Sequence, residues 1–348
     1  MLVISVSFTG YLTARYRQAR EAQGRRHYEI GQALEGAGDM SGAAEQYRKA
    51  LLFLPDETDY RLALAISLIQ LGQLDESQYY LGDLLEEDPT SGIVNLMLAR
   101  ISQKQGKTNQ AIEYLQRSVY GFWPSQKLGM RHSARWDLVR MLEKQNRRPE
   151  MVAELLQLYA NSGNNAKEKS KIGFLLLQHD ATSDAASVFR QLTRDDPKDA
   201  EAHRGLGLAY FTLGEYLSAR HEFQHAVNLN PNDTDNTALL SRTSAVIDID
   251  PNLPRLTSAD RLRRSRLLLD RVIYTLEQCS KRNGSSDNLK QQLVDGRKLM
   301  QTKYTDADAQ ALQFQDRAQQ LWKDRKAFCG DQPVTEQSVD TVLAGLSR

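Results

Sequence analysis

The chain has 348 residues, of which 41% are hydrophobic and 26% charged, the balance of an ordinary globular protein. Lys and Arg number 45 against 44 Asp and Glu, and the net charge of +1 gives no global field that would favour nucleic acid. No segment is of low complexity, and Pro and Gly fall mostly at regular intervals.

The chain begins with an uncharged run, MLVISVSFTGYL, followed by Arg15, Arg17, Arg20, Arg25 and Arg26 against Glu21 alone. Twelve helical residues span about 18 Å, short of the ~30 Å of a hydrocarbon core. Two readings stay open for residues 1–23. One is a docked or disordered N-terminal helix. The other is the end of a membrane anchor or signal sequence, with membrane association through residues 1–20. Arginines after an apolar run would by themselves place the downstream chain on the cytoplasmic side.

From residue 24 the chain repeats every 34 residues. Pro55 and Pro89 are one period apart, and so are Pro197 and Pro231. The last unit is clearest: Leu206-Gly207, Tyr210, Gly214, Ala219, Phe223, Ala226, Pro231. Small residues at such spacing let two helices cross closely, and large ones fill the gaps beside them. Proline ends the second helix, because it lacks an amide proton and clashes with the preceding turn. Asp196-Pro197-Lys198-Asp199 and Asn230-Pro231-Asn232-Asp233 read as turns leading into helix N-caps.

The same spacings recur as Ile30-Gly31, Ala43, Tyr47 and Pro55 in residues 24–57, and as Leu64-Ala65, Leu81 and Pro89 in 58–91. Leu98-Ala99 and Ala111 mark 92–125, and Ile172-Gly173, Ala185, Phe189 and Pro197 mark 166–199. Residues 126–165 form a longer, degenerate unit with Leu138, Leu142 and Ala153 as guides, and Gln157 where a large apolar residue is expected. This pattern resembles the tetratricopeptide repeat, two antiparallel helices per unit. The resemblance implies an all-α, right-handed helical-hairpin solenoid over residues 24–235. The family's Trp position falls on His27 and His203, which reads as packing rather than ligation.

The resemblance also implies where a partner binds: on a concave groove lined by the first helix of each unit. The matching positions are Tyr28, Gln32, Leu62, Ile66, Ile69, Leu96 and Arg100 in the first half, and Phe174, Leu177, Arg204, Leu208 and Phe211 in the second. Many are apolar and would be wet in an empty groove, which marks a partner surface. The family's clamp for acidic C-terminal tails needs Lys and Asn where this chain has Tyr28, Gln32, Leu62, Ile66, Leu96 and Arg100, so such tails are not expected. Either a foreign apolar helix or peptide fills the groove, or the chain's own N-terminal helix or C-terminal region does.

After Asn236 the period fades. Residues 248–254 read as a linker, and helical patterns occur at about 259–281, 286–303, 306–328 and 335–346, enough to cap a solenoid. Cys279 and Cys329 close the first and third of these helices. In an up-down-up bundle those ends meet, which allows a disulfide; two separate buried thiols are the other reading. A bridge would indicate an oxidising compartment such as a periplasm, opposite to the arginine argument. The arginine-rich stretch 261–271 reads as the solvated face of an amphipathic helix, with an anionic surface as the rival.

One motif demands a test. His221-Glu222-Phe223-Gln224-His225 matches HExxH, in which two His bind zinc and Glu activates water. Here Phe223 and Ala226 are packing positions of the repeat, so His221 and His225 face outward. No phosphate-binding, dinucleotide-binding or nucleophile-elbow pattern and no CxxC pair occurs. The expectation is a non-enzymatic interaction scaffold without catalytic residues, metal or cofactor. It is expected to be membrane-associated, with its repeats extracytoplasmic, and to act in assembly of a bacterial envelope complex. A metallohydrolase and a purely structural protein are the alternatives.

Overall fold

The computed structural model describes residues 2–283, 287–302, 306–325 and 337–346. Its elements are helices: α1 (Leu2–Gly36), α2 (Met40–Phe53), α3 (Thr58–Leu71), α4 (Leu74–Glu87), α5 (Gly92–Lys104), α6 (Thr108–Tyr120), α7 (Leu128–Lys144) and α8 (Arg148–Asn161). These lie in one compact unit, residues 1–161. A second unit, residues 162–348, holds α9 (Ala166–Gln178), α10 (Thr182–Asp195), α11 (Ala200–Thr212), α12 (Tyr216–Leu229), α13 (Thr234–Ile249), α14 (Ser258–Asn283), α15 (Asp287–Gln301), α16 (Ala307–Lys323) and α17 (Gln337–Leu346). The expected all-α helical-hairpin fold is what the chain adopts. The uncharged run does not stand apart: α1 carries it without a break into the first repeat helix. No helix among the described residues is long and apolar enough to cross a membrane.

Within each hairpin the turn carries one residue with positive φ, at the fifteenth position of its repeat. These residues are Gly38, Gly72, Gly106, Asn146, Asp180 and Gly214, with φ between 53° and 85°. Glycine has no Cβ to clash there, and Asn and Asp tolerate the left-handed region best among the rest. Asn146 resolves the degenerate stretch. Counting back from it, a full 34-residue repeat occupies 132–165, and six residues, 126–131, are inserted before it. The expected guides shift accordingly. Leu138 and Leu142 are fully buried, but Ala153 and Gln157 are exposed, and Met151, Leu155 and Leu158 face inward instead. An insertion moves every later residue round the helix, so a phase carried across it points to the wrong face.

The core of five of the six hairpins is a matched pair, one residue from each helix, while 132–165 carries Val139 and Leu155 at those positions. Where the second helix brings a ring, the first has glycine: a Cβ placed on Gly31, Gly173 or Gly207 would lie 2.5, 2.7 or 2.6 Å from Tyr47, Phe189 or Phe223. Where the second helix brings Leu81 or Leu115, the first carries Ala65 or Ala99, and all four are fully buried. Side-chain volume is thus conserved across the crossing while its distribution changes. Caps form as expected: the Asp199 carboxylate accepts from the Glu201 and Ala202 amides, and that of Asp233 from Asp235 and Asn236.

The region after Asn236 begins with a helix that the fading period hid, α13, which packs on α12. Then α14 and α16 run parallel in constant register. Ser258 Oγ donates to Asp308 at 2.7 Å and Gln315 Nε2 donates to Ser265 Oγ at 2.9 Å, and each pair is 50 residues apart. Their shared core includes Leu269, Val272, Ile273, Leu276, Phe314 and Leu321, with Val342 and Leu343 of α17. Cys279 is disulfide-bonded. Cys329, the one other cysteine and again 50 residues on, lies outside the described residues. Reduction is expected to lower the stability of the 162–348 unit by about 2–4 kcal/mol. Thermal melts with and without dithiothreitol check this, and identical melts would exclude it.

Candidate binding surface

The first helices of the repeats carry the surface. In the 1–161 unit the expected wet apolar groove is not there. Leu62, Ile69 and Leu96 are buried, with exposures of 8%, 5% and 1%, and Ile66 is half-buried. The neighbouring first helices α3 and α5 are in contact. What stays exposed is polar: Gln32 and Arg100. Tyr28 is half-buried and stacks on Tyr60 at 4.6 Å, and burial, with Asp59 nearby, raises its phenol above the usual range.

The 162–348 unit differs. Phe174, Leu177, Leu208 and Phe211 are all half-buried, on α9 and α11. Two arginines stand over two of them. The Arg204 guanidinium lies 5.2 Å from the Phe174 ring centroid, and that of Arg242, on α13, lies 5.0 Å from Phe211. Thus α11 sets a cation over an aromatic of α9, and α13 sets one over an aromatic of α11. Phe211 also packs against the C-terminal core. Beyond it opens a cleft of 490 Å³ lined in part by Tyr216, Asp250 and Leu346. Burial pushes the Asp250 carboxyl above its usual range, although the Asn252 amide donates to it.

Sequence reasoning read the fourth position of the repeats, the family's Trp position, at His27 and His203 as packing and did not identify its polar partners. That position forms a series of polar latches. His27 Nδ1 lies 2.9 Å from Gln46 Oε1, with its ring stacked on Phe53. Arg61 donates twice to Glu87 and once to the Asp56 carbonyl, which holds the Glu87 carboxyl below its usual range. Asn95 donates to the carbonyls of Pro89 and Ser91. Arg135 Nε sits 3.1 Å from Glu154, both side chains 8% exposed. His203 Nδ1 meets Glu222 at 2.7 Å and its Nε2 meets the Pro197 carbonyl at 3.2 Å. In three repeats the partner is the twenty-third position: Gln46, Glu154 and Glu222. That recurrence is the signal the sequence held.

The latch also bears on the HEFQH segment. Glu222, which would have to activate water, is engaged by His203. No group of three or more His, Cys, Asp or Glu among the described residues could hold a metal ion.

The hairpins stacked within each unit define a helical-hairpin repeat protein of the all-α class. Residues 59–91, 94–120 and 173–234 match models of the tetratricopeptide repeat, and the protein is a tetratricopeptide-repeat protein. Among curated proteins it is similar to the human protein O-mannosyl-transferase TMTC1, 21% identical over 216 residues, covering 61% of this chain and 20% of that protein. The BBSome complex member bbs-4 of Caenorhabditis elegans is 30% identical over 83 residues, covering 24% of this chain and 18% of that one. The chain therefore spans about a fifth of the length of these relatives. Among solved structures, YrrB, described as a TPR protein with an unusual peptide-binding site, is 16% identical, covering 56% of this chain and 97% of that one, with a TM-score of 0.40. Pseudomonas aeruginosa pilF is 13% identical, covering 64% and 99%, with a TM-score of 0.41. The fold is that of a protein–protein interaction scaffold.

Proposed function

We propose that this protein is a non-enzymatic scaffold that binds an apolar segment of a partner protein across α9, α11 and α13. The observation that carries this is the row of half-buried Phe174, Leu177, Leu208 and Phe211 with Arg204 and Arg242 over the rings. Two cations within an apolar strip select a segment that carries carboxylates between its apolar residues. Self-occupation reaches Phe211, whose neighbours in the C-terminal core cover part of it, and leaves Phe174 and Leu208 to the partner.

A photo-crosslinking residue at Leu208 is expected to trap a partner from membranes. Phe174→Glu and Arg204→Glu should each abolish the adduct, while Ile66→Asp should leave it intact. An adduct that survives both substitutions on α9 and α11 overturns this reading.

The proposed setting is the bacterial envelope, with the repeats on the oxidising side of a membrane. Support comes from the disulfide at Cys279, proposed to be Cys279–Cys329, and from the uncharged run followed by arginines in α1. The test is alkylation of intact cells followed by peptide mass mapping. A Cys279–Cys329 peptide with no alkylated cysteine is expected; alkylated thiols place the domain in the cytoplasm.

A further inference from the structure

The HEFQH segment leaves an unexplained arrangement on the outer side of α12. His221 and His225 are both exposed, the former with 68% of its side chain in solvent. Their Nε2 atoms face one another at 3.4 Å. Two imidazole nitrogens on a tetrahedral zinc ion, each about 2.0–2.1 Å away, lie roughly 3.3–3.4 Å apart. A square-planar ion would hold them near 2.9 Å. The gap therefore has the bite of a tetrahedral ion.

Both rings are oriented from behind. Glu222 Oε1 lies 3.4 Å from His221 Nδ1. A carboxylate only accepts, so in the neutral tautomer that donates to Glu222 from Nδ1, His221 Nε2 presents a lone pair. The other oxygen of Glu222 is anchored to His203 at 2.7 Å. His225 stacks on His203, with ring centroids 5.0 Å apart and an interplanar angle of 16°, which fixes its plane. A carboxylate behind a ligating histidine is the support that metal sites use to set tautomer and direction. A cation held between the two Nε2 atoms would replace their mutual contact at 3.4 Å.

We infer that His221 and His225 form a two-histidine clamp for a tetrahedral divalent ion of the zinc class, with Glu222 and His203 as positioning residues and two coordination positions left to water. The remaining histidines stand apart from it in sequence, on α1, α7 and next to α9.

The test uses the full chain and zinc chloride alone, by titration calorimetry, with cobalt(II) as the spectroscopic probe. One ion per chain is expected. His221→Ala and His225→Ala should each weaken binding at least tenfold and remove the cobalt d–d bands, and His132→Ala and His179→Ala should leave both unchanged. Glu222→Gln should weaken binding about tenfold at unchanged helical circular dichroism. Equal zinc affinity in the wild type and the His221→Ala/His225→Ala variant would show an adventitious ion only. That result, or no uptake at millimolar zinc, overturns the clamp.

Discussion

Glu154→Ala is expected to lower the stability of the 1–161 unit by about 3–5 kcal/mol, the cost of stranding one member of a buried ion pair. Glu154 and Arg135 are each 8% exposed at the side chain, 3.1 Å apart. The Tyr120 hydroxyl donates to Glu154 at 2.5 Å, and the Arg135 guanidinium lies 5.6 Å from the Tyr120 ring centroid. Removing the carboxylate leaves a buried guanidinium without its counter-charge and the phenol without its acceptor. Removing both charges, as Arg135→Met with Glu154→Leu, should cost far less, because the two desolvation penalties disappear together. Urea unfolding measures this: the midpoint should fall strongly for the single variant and little for the double, at an unchanged slope. A single variant within about 1 kcal/mol of wild type would show that water reaches the pair.

Phe223→Ala should cost about 3–5 kcal/mol in the 162–348 unit, through lost burial and the cavity left behind. Phe223 is fully buried and lies against Gly207. Gly207→Ala should cost about 1–3 kcal/mol by overpacking, since the added Cβ would sit 2.6 Å from a ring carbon that cannot move away. Combining Gly207→Ala with Phe223→Leu should recover most of the loss. The repeats built on Ala65 with Leu81 and Ala99 with Leu115 already use that solution. A double-mutant cycle reads the coupling directly. Purely additive losses would show that the two positions do not constrain each other.

The 34-residue period, the hairpins, the N-caps at Asp199 and Asp233 and the pairing of Gly207 with Phe223 were all legible in the chain, because each depends on residues close in sequence. The exchange of Gly for Ala as a ring gives way to Leu is visible in the letters alone. The phase of residues 126–165 was not. Only the left-handed turn at Asn146 showed that six residues are inserted before a regular repeat. The fourth-position latches escaped for a different reason. His27, Arg61, Asn95, Arg135 and His203 share no chemistry by name, and what unites them is a common place beside the inter-repeat turn or the twenty-third position.

Local rules thus determined the helices and their order, since caps, turns and crossing volumes act over a few residues. Exposure was decided by tertiary packing. Leu62 and Leu96 occupy the same repeat position as Arg204, yet the first two are buried and the third is half-exposed, lying over Phe174. Whether a residue at a groove position meets solvent depends on side chains distant in the sequence, which the local pattern does not carry.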